Sequence, residues 1–220
     1  MADETRIPEP DEQREGRPRQ LIPRARFLGL IAGGLAVGAL SMRAFALVDG
    51  WRENTVESSR PVFDPESYQL TIDGLVERPL TADYDALRAL PAVRQVSDFH
   101  CVEGWKVPNA QWDGVRFQTL ADLVGPLPES RFVTFHSLGG VYRDALTVDQ
   151  AMLPDVMIAY DLDGAPLSQV RGSPARLVMP RMFGYKGPKW VTRIEFRDRR
   201  DVGYWERRGW RVDAWIRSSS

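Results

Sequence analysis

The sequence predicts an α+β domain, mixed and mostly β, with short irregular helices and one N-terminal hydrophobic helix ahead of it. Three observations lead there. From Tyr68 onward, apolar runs of strand length recur between Gly, Pro and Asp-Gly breaks. The helical signals between them are short and do not give the regular strand–helix alternation of a doubly wound parallel sheet. Upstream, Phe27 to Met42 is an uncharged stretch with no polar face.

Taken in order, residues 1–23 are Pro-, Glu- and Arg-rich with almost nothing to bury, and are expected to be disordered. Residues 24–48 read either as a transmembrane anchor or as an export signal with Ala44-Phe45-Ala46 as a small-residue cleavage site. In both readings Arg17, Arg19, Arg24 and Arg26 stay cytoplasmic. The rest is then tethered to the cell membrane or exported, on its periplasmic side. Residues 49–67 form a linker and 68–220 the folded domain. Within it Tyr68–Val76 is strand-like, broken by Asp73-Gly74. Thr81 caps a short helix through Leu90, ahead of Pro91. Arg131–Ser137 is a strand and Val148–Leu153 a short helix. Val156–Leu162 and Arg176–Met179 are apolar runs of strand length, and Val191–Arg197 alternates with period two.

Composition narrows the chemistry. A net charge of −1 argues against nucleic-acid binding. The charge is unevenly spread, however: residues 171–220 hold 13 Lys+Arg and 5 Asp+Glu, which suits a small anionic ligand. A single cysteine, Cys101, excludes an internal disulfide, a four-cysteine zinc site and a cysteine-held iron–sulfur cluster. Two histidines, His100 and His136, are too few for a three-histidine zinc site. Only three lysines occur, and Lys186 and Lys189 are two of them.

Two clusters carry chemistry. The first is Asp98-Phe99-His100-Cys101-Val102-Glu103-Gly104-Trp105. A lone cysteine is usually a small buried hydrophobe. Here its neighbours are polar and aromatic, and His100 and Lys106 offer the positive charge a thiolate needs. It reads as a thiolate ligand to a soft metal, or as a nucleophile with His136 as base. The second cluster runs from Arg171 to Trp190. Arg171, Arg176, Arg181, Lys186 and Lys189 are interleaved there with Gly and Pro. It is either a solvated basic loop or a phosphate clamp in which glycines admit an oxyanion and Lys and Arg neutralise it. The GxxxxGK[ST] and GxGxxG patterns are both absent.

In order and spacing, several segments resemble the molybdopterin-binding domain of the sulfite oxidase family of molybdenum enzymes. They are His100–Trp105, Tyr142 with Leu146, Ala159-Tyr160 with Gly164–Leu167, Pro174–Val178, Gly184–Lys186 with Lys189-Trp190, and Gly203–Gly209. The resemblance implies that family's fold and a mononuclear molybdenum–molybdopterin cofactor, with Cys101 as the metal ligand. It implies a cofactor-binding role for His100, Ser137, Arg176, Lys186, Gly187, Pro188 and Lys189, and places Tyr142 where substrate meets the metal. Glu103 and Trp105 become candidates to tune the metal. Sulfite oxidases have arginine-rich surroundings just after the cysteine. Glu103-Gly104-Trp105 is instead similar to the loop of bacterial periplasmic methionine-sulfoxide reductase catalytic subunits. Those enzymes have an Asn- and Tyr-rich N-terminal cofactor contact, for which Asn54 is a stand-in only. The twin arginine of their export signals is absent, since Ala25 separates Arg24 from Arg26.

The implied activity is oxygen-atom transfer on a small sulfur- or nitrogen-centred substrate, either sulfoxide reduction or sulfite-type oxidation. Electrons would be exchanged with a separate membrane or soluble cytochrome. The alternative is a non-catalytic, membrane-anchored domain of the same fold that scaffolds a partner or binds an anion.

Overall fold

The computed structural model describes residues 50–216. The tail expected over 1–23 and the apolar segment 24–48 lie outside them. Among the described residues no helix is long and apolar enough to cross a membrane.

The elements run β1 (Leu70–Gly74), β2 (Leu80–Ala82), α1 (Tyr84–Ala89), β3 (Ala92–His100), β4 (Lys106–Arg116), α2 (Phe117–Val124), β5 (Phe132–Ser137), β6 (Arg143–Thr147), α3 (Val148–Ala151), β7 (Met157–Leu162), β8 (Ala165–Pro166), β9 (Arg176–Val178) and β10 (Val191–Arg197). They form two sheets. One has the order β2-β1-β10-β5-β6, and its β1–β10 pair is parallel. The other has the order β3-β4-β7-β8, is antiparallel throughout, and carries β9 on β7. The mixed, strand-rich architecture expected from the sequence is therefore present.

The second sheet is buried on both faces where it matters. Successive side chains of β7 point opposite ways, so Ile158 joins the larger core while Met157 and Ala159 join a smaller one. The larger core also takes Leu70 and Ile72 of β1 and Ile194 and Phe196 of β10. The smaller one gathers Val107, Trp112, Leu167 and Val178, with Trp51, Phe99 and Trp105 packed against it. This aromatic patch underlies the Cys101 loop.

Local chemistry explains the boundaries. Asp83, not Thr81, caps α1: its Oδ1 accepts the Ala86 N–H at 2.7 Å, whereas Thr81 pairs with Thr71 in the β1–β2 ladder. At α3 the Thr147 hydroxyl accepts the Gln150 N–H (3.1 Å), and the Gln150 side chain accepts the Thr147 N–H (2.9 Å), a reciprocal cap. Helix α2 has no counterpart in the sequence reading, yet Phe117, Leu120, Ala121 and Val124 are its buried stripe. Gly125, at φ +64°, ends it.

Candidate active site

The β3–β4 ladder closes at His100 opposite Lys106, leaving Cys101–Trp105 as the connection. The Cys101 N–H donates to the Trp105 carbonyl (2.9 Å) and the Gly104 N–H to the Cys101 carbonyl (3.1 Å), so the loop is a tight turn. Gly104 sits at φ +89°, a conformation that favours glycine. The half-buried Cys101 Sγ lies 3.8 Å from Glu103 Oε2 and 4.0 Å from Asn54 Nδ2. The same Glu103 oxygen accepts from Trp105 Nε1 at 3.1 Å and from Asn54 Nδ2 at 3.0 Å, and these bonds hold its carboxyl below the usual range.

The cations expected to support a thiolate are turned elsewhere. His100 Nε2 and Lys106 Nζ approach Asp98 Oδ2, at 3.9 and 3.5 Å. Burial pushes the Cys101 thiol up, and the neighbouring Glu103 charge acts in the same direction. The protein alone therefore favours a thiol here. A coordinating metal cation, by contrast, deprotonates a thiol outright.

Facing this loop are one buried and one half-buried cation. Arg176, at the start of β9, is 3% exposed, and its guanidinium lies 5.3 Å from the ring centres of both Phe99 and Trp112. Its Nη1 donates to the Arg171 carbonyl at 3.1 Å, while its Nε has no hydrogen-bond partner among the described residues. Lys189 Nζ donates to the carbonyls of Asn54 (2.8 Å) and Val170 (3.2 Å). Burial lowers both cations, Arg176 to about 10 and Lys189 to about 8, and their mutual repulsion with Arg171 adds to the effect. Gly172, at φ +109°, permits the crowding: a Cβ there would lie 3.0 Å from Lys189 and 3.1 Å from Arg176.

A cavity of about 250 Å³ brings together Cys101, Ser137, Tyr142, Arg176, Gly187 and Lys189. Ser137 ends β5, and its buried Oγ has no partner among the described residues. The Tyr142 hydroxyl donates to the Tyr185 carbonyl, and its ring stacks on Tyr204 at 5.6 Å. A Cβ on Gly187 would come within 2.7 Å of the Leu177 carbonyl oxygen.

Four other residues from the sequence reading do not line this cavity. Lys186 is fully buried away from it: its Nζ bonds Asp144, the Ala145 carbonyl (2.9 Å) and Glu206 (2.9 Å), because two buried carboxylates demand a counter-charge. Pro188 serves through its carbonyl, which accepts the Leu177 N–H at 3.0 Å and so seats β9. His100 lines a separate small crevice that also touches Phe99, Arg176 and Gly187. His136, considered as a base, has Nε2 3.0 Å from Glu195 Oε2, so the structure brings no Cys–His pair together.

Of the other groups at the cavity, Asn54 and Trp205 fall in the sequence reading, whereas Trp51, Val56 and Trp210 are not marked by residue type or spacing. The stretch expected as a linker has no helix or strand, yet Trp51, Asn54 and Val56 form part of the wall. Trp51 packs on Phe99 at 4.7 Å and on Trp112 at 5.8 Å, beneath the Arg171 guanidinium at 5.0 Å. No periodicity marks such a segment. Trp205 and Trp210 form another part of the wall. Orphaned donors at Arg176 and Ser137, one thiol and two cations that form no ion pair among the described residues, although the Glu53 charge acts on Lys189, fit a ligand that joins an oxygen-rich anion to a soft metal.

Comparison with known proteins converges on the same ligand. Residues 57–205 match the oxidoreductase molybdopterin binding domain family. The uncharacterized oxidoreductase YuiH of Bacillus subtilis (strain 168) is 32% identical over 154 residues, covering 69% of this chain and 77% of its own. The protein-methionine-sulfoxide reductase catalytic subunit MsrP of Gluconobacter oxydans (strain 621H) is 28% identical over 238 residues, 86% of this chain and 76% of that one. In fold, the crystal structure of the sulfane dehydrogenase SoxCD from Paracoccus pantotrophus matches with a TM-score of 0.64 and 24% identity. That match covers 70% of this chain and 43% of that one. Thiol, cations and family match together make this chain a member of the oxidoreductase molybdopterin binding domain family, an enzyme domain built to hold a molybdenum–molybdopterin cofactor.

Proposed function

We propose that this chain reduces small neutral sulfoxides, exchanging electrons with a separate cytochrome at the outer face of the cytoplasmic membrane. The observation that carries this reading is the position of Glu103. Its carboxylate oxygen lies 3.8 Å from the Cys101 sulfur and is locked there by Asn54 and Trp105. A fixed negative charge at that point repels a sulfite anion and leaves a neutral S=O group unopposed. The similarity to a methionine-sulfoxide reductase catalytic subunit agrees with it.

When bound, the molybdenum–molybdopterin group supplies the two-electron oxygen-transfer chemistry. Cys101 provides its thiolate ligand. Arg176, Lys189 and Ser137 would provide donors for its phosphate, and Gly187 borders the same cavity while its missing side chain lets the Leu177 carbonyl pack close. The Tyr142 ring borders the reacting end of the cavity, its hydroxyl held by the Tyr185 carbonyl. Overall, a dialkyl sulfoxide takes up a pair of electrons and a pair of protons, its S=O bond breaks, and the products are the sulfide and one molecule of water. Periplasmic placement and the anchor or signal rest on the apolar stretch within 24–48 and its flanking arginines.

The test is purification from a host that makes the cofactor, followed by metal analysis and paired assays with sulfoxides and with sulfite. We expect stoichiometric molybdenum and turnover of sulfoxides but not of sulfite. Cys101→Ser should abolish turnover without a change in melting temperature. Sulfite oxidation without sulfoxide reduction overturns the substrate class. Full activity in Cys101→Ser overturns the site.

A further inference from the structure

The roles assigned so far leave the Gly203–Gly209 motif unused. It folds into one 3-10 turn, Glu206–Arg208, ended by Gly209 at φ +89°. Glu206 is drawn inward by Lys186 (2.9 Å), by Arg200 and by the Gly203 N–H (2.9 Å), which anchors the turn from below. The Trp210 N–H donates to the Trp205 carbonyl at 3.1 Å. The two indoles stack, 4.5 Å between centres and 24° apart, and both line the cavity that holds Cys101.

This stack belongs to a longer wall of rings. Tyr185 meets Trp210 edge-on at 4.9 Å, Tyr204 meets Trp205 at 5.3 Å, and Tyr142 stacks on Tyr204. The wall also leads out of the cavity. Val102, Tyr185 and Trp210 line both it and a neighbouring groove of about 550 Å³, which runs on past Ala214, Trp215 and Ile216. Val102 remains 42% exposed at the junction. The cavity therefore has a basic side, made by Arg176 and Lys189, and an aromatic side that adjoins a mostly apolar groove, with the exposed Arg211 and Asp213 also in its lining.

We propose that Trp205 and Trp210 are specificity-determining residues that select methyl sulfoxides whose second substituent is apolar, with that substituent lying in the adjoining groove. This rests on the sulfoxide-reductase reading above. Indole faces attract a polarised S–CH3 group and a polarisable sulfur without needing a charge on the substrate. Trp210 belongs to both spaces, so one ring touches the reacting end and the start of the groove. An apolar substituent entering the groove leaves water, a gain that dimethyl sulfoxide is too short to collect.

The experiment compares steady-state reduction of dimethyl sulfoxide and methyl p-tolyl sulfoxide by the molybdenum-loaded protein and its Trp210→Ala, Trp210→Phe and Trp205→Phe variants. The wild type should prefer the tolyl substrate by about tenfold or more in kcat/KM. Trp210→Ala should remove most of that preference, the loss appearing in KM for the tolyl substrate rather than in kcat. Trp210→Phe should restore at least half of it, because a ring is returned. Molybdenum content and melting temperature, read in parallel, separate substrate selection from a packing role, which would lower metal content or stability along with turnover. If Trp210→Ala loses metal or stability, Trp210→Phe decides: wild-type discrimination supports the assignment if Trp205→Phe weakens it, and overturns it if neither variant changes it. A wild type that reduces both sulfoxides equally well overturns this assignment alone. A wild type that reduces neither overturns the sulfoxide reading and this assignment with it.

Discussion

Lys186 and Lys189 are three residues apart and chemically identical, and the fold uses them for opposite purposes. Lys186 is buried with its ammonium between Asp144 and Glu206, each charge answered by another. Lys189 is placed among Arg176 and Arg171, with only the Glu53 charge acting the other way, and donates to two backbone carbonyls. The first arrangement is nearly closed, with Asp144 Oδ2 left without a partner among the described residues. The second holds positive charge in reserve, at an energetic cost that an anion would relieve. The contrast separates a residue that keeps the protein folded from one that keeps it ready for a ligand.

The sharpest way to break the contrast is Lys186→Met. It strands the buried Asp144 carboxylate, leaves Glu206 to Arg200 and the Gly203 N–H, and should cost about 3–5 kcal/mol, a fall of roughly 10 °C in melting temperature by calorimetry. Lys189→Met should do the reverse. Cofactor retention on dialysis, read as molybdenum per chain, should weaken about tenfold for one lost charge-assisted bond, while the unloaded protein melts within about 1 kcal/mol of wild type. The pH profile sharpens the difference further. Folding lowers Lys189 from 10.5 to about 8, so between those values the unfolded chain binds more protons. Stability of the unloaded protein should therefore rise with pH across that window, a slope that denaturant titrations should find missing in Lys189→Met. The smallest effect belongs to Ser137→Ala, which removes a buried hydroxyl without a partner. Retention should fall about threefold, while the unloaded protein gains up to about 1 kcal/mol.

Much of this is legible in the sequence, for reasons that can be named. Strand β10 coincides with the period-two run Val191–Arg197, and β7 with the apolar stretch that ends at Leu162. The long β3–β4 hairpin is hidden because β3 buries no face consistently and Pro108, Asn109 and Gly114 interrupt β4. Gly114 reads as a breaker, yet it is required inside the sheet: a Cβ there would lie 2.2 Å from the Ile158 carbonyl oxygen. Helix α2 is written as a Phe117, Leu120, Ala121, Val124 spacing ahead of Gly125, but two turns with no capping side chain make a faint signal. At the site, Cys101, Arg176 and Lys189 stand out as rare or clustered types. Lys186 cannot be told from Lys189 by sequence, because Asp144 and Glu206 are 42 and 20 residues away along the chain. Trp51 carries no local pattern at all; only the assembled cavity gives it a place.

The wall formed by Trp51, Asn54 and Val56 has a mechanical consequence. Among the described residues, no backbone–backbone hydrogen bond ties residues 50–60 to either sheet. What pins this stretch is side chains, with Lys189 and Glu103 reaching Asn54 and Arg171 lying over Trp51. Displacing it would unpair no strand but would lift Trp51 off Phe99 and Trp112, so this edge of the chamber is held by side-chain packing and by side chains of the chamber itself. The residues that would receive an anion thus also hold the wall that borders it, which ties the order of this stretch to the charges of the site.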